Sequence, residues 1–243
     1  MPTLQSSNLG PMSSLTWSKA AARVAGVISG AKQPDSLAAA KDSLIETLQD
    51  WDSRADWRFT QVVAPDIAIT GSTDTFDLPT NFKKPYVAYL VSAQTPLWYV
   101  ERANWHRVFP GTGTVRQTPK FYTLYNESDT GKGDLFPLSG ITDTLVVLYY
   151  RSMIYEDSDT ALLDLPKRWE GYLLHGARAL LSLSKQASQK SDRFMQLYEA
   201  GIAKAKQDDR RVPDQFLSFQ PPSQLTQPYW LNPNSTIDSV LGI

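Results

Sequence analysis

The stretch SLAAAKDSLIETLQDWDSRADWRFTQVVAPDIAI, residues 36–69, changes its period halfway along and so divides the chain into two kinds of structure. In its first half Leu37, Leu44, Ile45, Leu48 and Trp51 fall on one face of a helix, while Lys41, Asp42, Glu46 and Asp50 fall elsewhere. Pro34, Asp35 and Ser36 supply capping chemistry in front of it, so the spacing predicts an amphipathic helix over 36–55. From Trp57 the helical recurrence stops. Phe59, Thr60, Val62 and Val63, then Ile67 and Ile69, are short β-prone runs cut by Pro65.

Upstream, Leu15, Val24, Val27 and Ile28 recur at helical spacing through an Ala-rich stretch that stops near Gly30, which predicts a short first helix behind a flexible leader, 1–14. Downstream, the β texture continues through Thr75–Leu78, Tyr86–Val91, Leu97–Val100, Lys120–Tyr125, Leu135–Leu138 and Leu145–Tyr150, with Pro, Gly, Asp and Asn between the runs. That rhythm suggests an antiparallel sandwich or small barrel of about seven strands. Helical spacing returns after Glu156–Asp159. Leu165 and Pro166 open a run with Trp169, Leu173, Leu174, Ala177, Leu180 and Leu181, proline suiting the first turn, and a last helix over about 191–210 aligns Phe194, Leu197, Tyr198, Ile202 and Ala205. Two isolated helix pairs would each expose an apolar stripe. The economical fold is therefore α+β: one α-helical bundle built from both chain ends (15–56 and 157–211), with an inserted antiparallel β-sandwich or barrel domain over 57–156.

Residues 212–243 are read as an extended C-terminal arm. They hold five prolines and no Lys or Arg, so they neither suit a long helix nor clamp DNA phosphates. Yet they carry Phe216, Leu217, Phe219, Leu225, Tyr229, Trp230, Leu231, Ile237 and Leu241, whereas a merely solvated tail is poor in such residues. The arm is expected to fold onto a partner protein.

Lys plus Arg number 24 against 25 Asp plus Glu, a net charge of -1, so the whole chain carries no field that gathers nucleic acid or anionic lipid. With no cysteine there is no disulfide framework, thiolate chemistry or common zinc site, and no apolar run approaches the roughly 20 residues that span a bilayer. No signal peptide is read at the N-terminus.

Reactive constellations are equally sparse along the chain. Gly111-Thr112-Gly113 lacks the third glycine and the Lys-Ser/Thr of a phosphate-binding loop. His106 and His175 lie in different regions without a second ligand at metal spacing; His106 is read as a surface residue and His175 as a packed or interface one. The acids Glu127/Asp129 and Glu156/Asp157/Asp159 sit where turn chemistry alone favours Asp, and no Gly-x-Ser-x-Gly elbow is present. Neither catalytic residues nor a cofactor or metal is assigned. Two readings remain for the cations Lys204, Lys206, Arg210 and Arg211 at the end of the last helix: a solvated end complementing the helix dipole, or a surface facing a DNA channel. Trp98, Tyr99, Trp105, Phe109, Phe121, Tyr122 and Tyr125 are either β-domain core and subunit contacts or a stacking face for sugars or single strands.

In order, these segments resemble the head-to-tail adaptor (head completion) proteins of tailed bacteriophages. The resemblance runs over about residues 15–211: an Ala- and Leu-rich helix pair before Trp57; Phe76-Asp77-Leu78-Pro79-Thr80-Asn81-Phe82-Lys83-Lys84; Pro96–Val100; Trp105–Pro110; Thr118-Pro119-Lys120-Phe121-Tyr122; Leu148–Arg151; Leu165–Trp169; and Asp208-Asp209-Arg210-Arg211. Asn81 stands where such proteins more often carry an acid. The resemblance implies a non-enzymatic virion protein assembled in the host bacterial cytoplasm. It implies a homo-oligomeric ring, usually dodecameric, in the neck under the portal protein, with the arm inserted into the portal. It also implies a lumen in transient contact with passing genomic DNA, a downstream tail or neck protein (nozzle, stopper or tail tube) on the distal face, and no membrane. The alternative is a carbohydrate- or receptor-binding virion module using the β-domain aromatics.

Overall fold

The computed structural model describes residues 11–28, 34–71, 75–109, 116–127, 130–155, 158–185 and 187–210. In chain order its elements are α1 (Trp17–Ile28), α2 (Pro34–Arg54), β1 (Gln61–Val63), β2 (Ile67–Ile69), β3 (Thr75–Asp77), β4 (Phe82–Leu90), β5 (Thr95–Tyr99), α3 (Arg102–Val108), β6 (Arg116–Gln117), β7 (Phe121–Glu127), β8 (Thr130–Phe136), β9 (Leu138–Ser139), β10 (Asp143–Arg151), α4 (Glu170–Ser184) and α5 (Ser188–Arg210). The chain divides into a helical unit, which takes residues up to Val62 and again from Tyr149, and a β unit spanning Val63–Leu148.

In the helical unit the apolar faces read from the sequence meet one another. Ala20, Ala21 and Val24 of α1, Ala40, Leu44 and Leu48 of α2, Leu173, Ala177 and Leu181 of α4, and Tyr198, Ile202 and Ala205 of α5 belong to one buried core. Tryptophans thicken its centre. The Trp51 and Trp57 rings stack with centroids 5.4 Å apart, Trp169 lies 6.1 Å from Trp51 and 5.4 Å from Trp57, and Trp57 Nε1 donates to the Trp51 carbonyl at 2.8 Å. Truncating a buried tryptophan costs about 3–5 kcal/mol, so these rings weigh heavily in this unit's stability. Gly176 sets the approach of α4 to its neighbours: a Cβ there would stand 2.5 Å from Thr47 Cγ2 and 2.8 Å from Tyr198 Cδ2.

The entry to α4 differs in detail from the expectation. Pro166 precedes a single 3₁₀ turn, Lys167–Trp169, and α4 begins only at Glu170. Upstream of α1, Met12 and Thr16 form bridges with Pro166 and Leu162, so the segment before the first helix is strapped along the one before α4.

The strands form a curled sheet, a half-barrel, with the order β1-β10-β4-β5-β7-β8-β3 and with β2 also on β10. Several pairs are antiparallel hairpin neighbours: Tyr89 faces Pro96 across β4 and β5, and Phe121 faces Phe136 across β7 and β8. The expectation of a wholly antiparallel domain is corrected here. β5 and β7 run parallel, with Trp98 opposite Phe121, and β6 pairs parallel with β9 in a separate two-stranded ladder. Parallel neighbours need a crossover connection. The one from β5 to β7 contains α3, whose Trp105, with Phe109 just beyond it, buries against Phe121 and Phe136. Phe109 stacks on Phe136 at 4.1 Å and meets the edge of Trp105 at 4.9 Å. This short helix was not legible as one in the sequence.

Candidate interaction surfaces

The arm residues Phe216, Leu217, Phe219, Leu225, Tyr229, Trp230, Leu231, Ile237 and Leu241 lie outside the described residues, as do Arg211, Gly111-Thr112-Gly113, Asp129, Glu156 and Asp157. Of the cations at the end of the last helix, Lys204 is exposed and Lys206 half-buried on α5, and Arg210 is the helix's last residue. Beside them Asp209 turns inward, where its carboxylate accepts from the Arg58 backbone N–H at 3.4 Å.

The β-unit aromatics are split by burial. Trp105, Phe109, Phe121 and Tyr122 are buried, Trp98 and Tyr125 are half-buried, and Tyr99 stands out, 48% exposed, on top of Tyr122 at 5.5 Å. Burial raises both phenols above their ordinary range, Tyr122 the more strongly. Next to them Arg102 reaches Asp134 at 2.5 Å and lies 4.2 Å over the Tyr125 ring, whose hydroxyl donates to Asp134 at 3.0 Å. That cluster locks the start of α3 to β7 and β8.

In the helical unit two carboxylates, the half-buried Asp164 and the buried Asp52, hold the chain where it leaves β10. Asp164 accepts from both Arg151 guanidinium nitrogens, at 2.8 Å for Nη2, and from the Ile154 backbone N–H at 2.9 Å. Asp52 of α2 accepts from the Met153 N–H at 3.3 Å and from the Tyr155 hydroxyl at 3.1 Å, and burial together with this carboxylate pushes the Tyr155 phenol well up. Both networks are structural anchors with matched donors and acceptors.

A third cluster is unbalanced. Arg178 of α4 donates to the Arg23 carbonyl of α1 at 3.2 Å and lies 6.0 Å from the Phe194 ring of α5, on which His175 stacks at 5.9 Å. His175, read as a packed or interface residue, is half-buried against α5, and His106, read as a surface residue, is exposed on α3. Burial lowers the pKa of both His175 and Arg178, with a further push on Arg178 from Arg23 and on His175 from Arg178. Arg178 Nε and His175 Nδ1 are buried without a hydrogen-bond partner among the described residues.

Among the described residues no three His, Asp or Glu side chains gather as metal ligands do, and no helix is long and apolar enough to cross a membrane. What the fold brings together is segments anchored by matched donors and acceptors. The sequence model of the SU10 adaptor protein family matches residues 16–218, and the chain belongs to that family. The match begins just before α1 and runs past the end of α5, so it takes in both units, and it agrees with the resemblance to tailed-phage head-to-tail adaptors. Membership of an adaptor family implies a structural rather than a catalytic role. Comparison with curated proteins gives no match.

Proposed function

We propose that this chain is a head-to-tail adaptor of the virion neck: copies form a ring, usually dodecameric in such assemblies, beneath the portal, joining capsid to tail and letting the genome through. The observation that carries this is the family match over 16–218, which covers the whole body of the protein and not a single motif. In this reading the arm, residues 212–243, docks on the portal through Phe216, Phe219, Tyr229 and Trp230, the aromatic anchors that dominate interface energies. The distal face receives a nozzle, stopper or tail-tube protein. With a net charge of -1, contact with DNA is transient and non-specific. A sugar-binding module is less well supported, because Trp105, Phe109, Phe121 and Tyr122 are already spent inside the β unit.

Removing residues 212–243 tests the assignment of the arm. The truncated protein should keep its melting temperature yet fail to co-sediment with portal rings of the same virus. Normal docking by the truncated chain would overturn the arm assignment.

A further inference from the structure

The helical unit carries a basic and an acidic patch on different helices. On α1 the only charged side chains are Lys19 and Arg23, four residues apart and both exposed, and the helix has no acid. Beside them α4 carries exposed Gly171 and the half-buried His175 and Arg178. The sole acid of α4, Glu170, is engaged by the Ser13 hydroxyl at 2.6 Å.

On α2 the balance is reversed. Its two cations are taken, Lys41 by Asp159 and Arg54 by Asp50 and Glu199. Asp42 and Glu46 remain on the exposed stripe Ala38, Asp42, Glu46, Gln49 and Ser53. No ion pair among the described residues includes Lys19, Arg23, Arg178, Asp42 or Glu46. At about 100° per residue this stripe lies about 180° from Leu44, Thr47 and Trp51, the side of α2 that packs on α4. The same count puts Gly171, His175 and Arg178 on the side of α4 away from Gly176, which touches Thr47. The acidic stripe thus points away from the α2–α4 contact, while the basic residues gather where α4 meets α1.

We infer that neighbouring copies meet head to tail through this unit, the Lys19, Arg23 and Arg178 face of one copy seating the Asp42 and Glu46 stripe of the next. The inference rests on the ring reading above and says which surfaces make the ring. A contact between two different patches on identical chains is heterologous, and when its rotation closes it generates a ring. A carboxylate from the neighbour also supplies what the site lacks. It provides a counter-charge for the Arg23–Arg178 pair, two like charges brought together where α1 meets α4. The overall charge of -1 fits the same picture, since each copy carries both halves of the contact.

The test uses the full chain and exposed positions, Arg23→Glu and Glu46→Arg, singly and together, with ring assembly on portal rings of the same virus read by sedimentation velocity and negative-stain imaging. Each single reversal should lower the assembled fraction at least about tenfold, and the double variant, whose two patches again match, should recover to within about twofold of wild type. Circular dichroism melts of each variant confirm folding. Because the chain has no cysteine, a second variant reads the contact directly: Ala22→Cys with Ala38→Cys, on the two outward stripes, should give a ladder of oxidised oligomers in assembled samples. Rings that form equally well in both single reversals, with no ladder, would overturn this interface and leave the ring reading intact. A wild-type chain that forms no ring under any condition would remove the ring reading and this inference with it. Retention of short duplex DNA that is lost in Arg23→Glu while assembly is unchanged would assign the basic face to phosphates and overturn the contact between copies.

Discussion

At the scale of single residues, charge and shape each set a measurable sign. Asp143 opens β10 and accepts the backbone N–H groups of Ser92, Ala93 and Thr144 at 2.8, 2.9 and 2.7 Å. Burial works against its charge, but these donors outweigh it and hold the carboxyl below its usual range. Its folded pKa is lower than the unfolded one, so its contribution is complete above about pH 4 and is lost as the pH falls through the folded value. Asp143→Asn should therefore cost about 2 kcal/mol in urea unfolding at pH 7, and its gap to wild type should shrink below about pH 4. Glycine gives a contrast within one helix. Gly176→Ala gains about 1 kcal/mol of helix propensity, but its new methyl meets Thr47 and Tyr198 at 2.5 and 2.8 Å, and such overpacking costs about 1–3 kcal/mol. The net should be a lower melting temperature. Gly171→Ala, with nothing within 4 Å, should raise it.

At the scale of elements, α3 shows what tertiary context adds. Its seven residues are too few for a helix in isolation, and Trp105 and Phe109 hold it by burying against Phe121 and Phe136. Trp105→Ala should destabilise the β unit by about 3–5 kcal/mol, followed by the loss of sheet circular dichroism in denaturant. The same dependence explains why α3 escaped the sequence reading. The long helices were legible because Leu44, Leu48 and Trp51 on α2, or Leu173, Ala177 and Leu181 on α4, repeat over several turns, whereas one Trp and one Phe four residues apart fit a strand-rich neighbourhood as well as a helix. The parallel pairing of β5 with β7 was hidden for a related reason: strand composition marks Leu97–Val100 and Lys120–Tyr125 but says nothing about which neighbour each takes. The charged face was only half visible. Asp42 and Glu46 could be placed on the outward side of their helix, but Arg23 and Arg178 come together only because α1 packs on α4 from the far end of the chain.

At the scale of the whole molecule, the helical unit takes residues up to Val62 and again from Tyr149, so it should fold without the intervening β unit. The crossing points are close. Ala64 N–H donates to the Val147 carbonyl at 2.8 Å, and Gln61 Nε2 donates to Tyr150 Oη at 2.9 Å, so the strands that leave and re-enter the helical unit are direct neighbours, about 5 Å apart. A linker of a few Gly and Ser residues spans that gap at little entropic cost. Every residue of the tryptophan-centred core, from Leu15 through Trp57 and from Met153 to Ala205, lies outside the excised segment. Replacing Val63–Leu148 with such a linker should therefore leave a protein that unfolds cooperatively, with the buried fluorescence of Trp17, Trp51, Trp57 and Trp169 retained. Ending the chain at Leu148 instead removes α4 and α5 from the same core, exposing Leu44, Leu48 and Trp51 together, and α1 and α2 should lose their helical circular dichroism. If both shortened chains unfolded alike, the helical unit would owe its stability to the β unit and not to the meeting of the two chain ends.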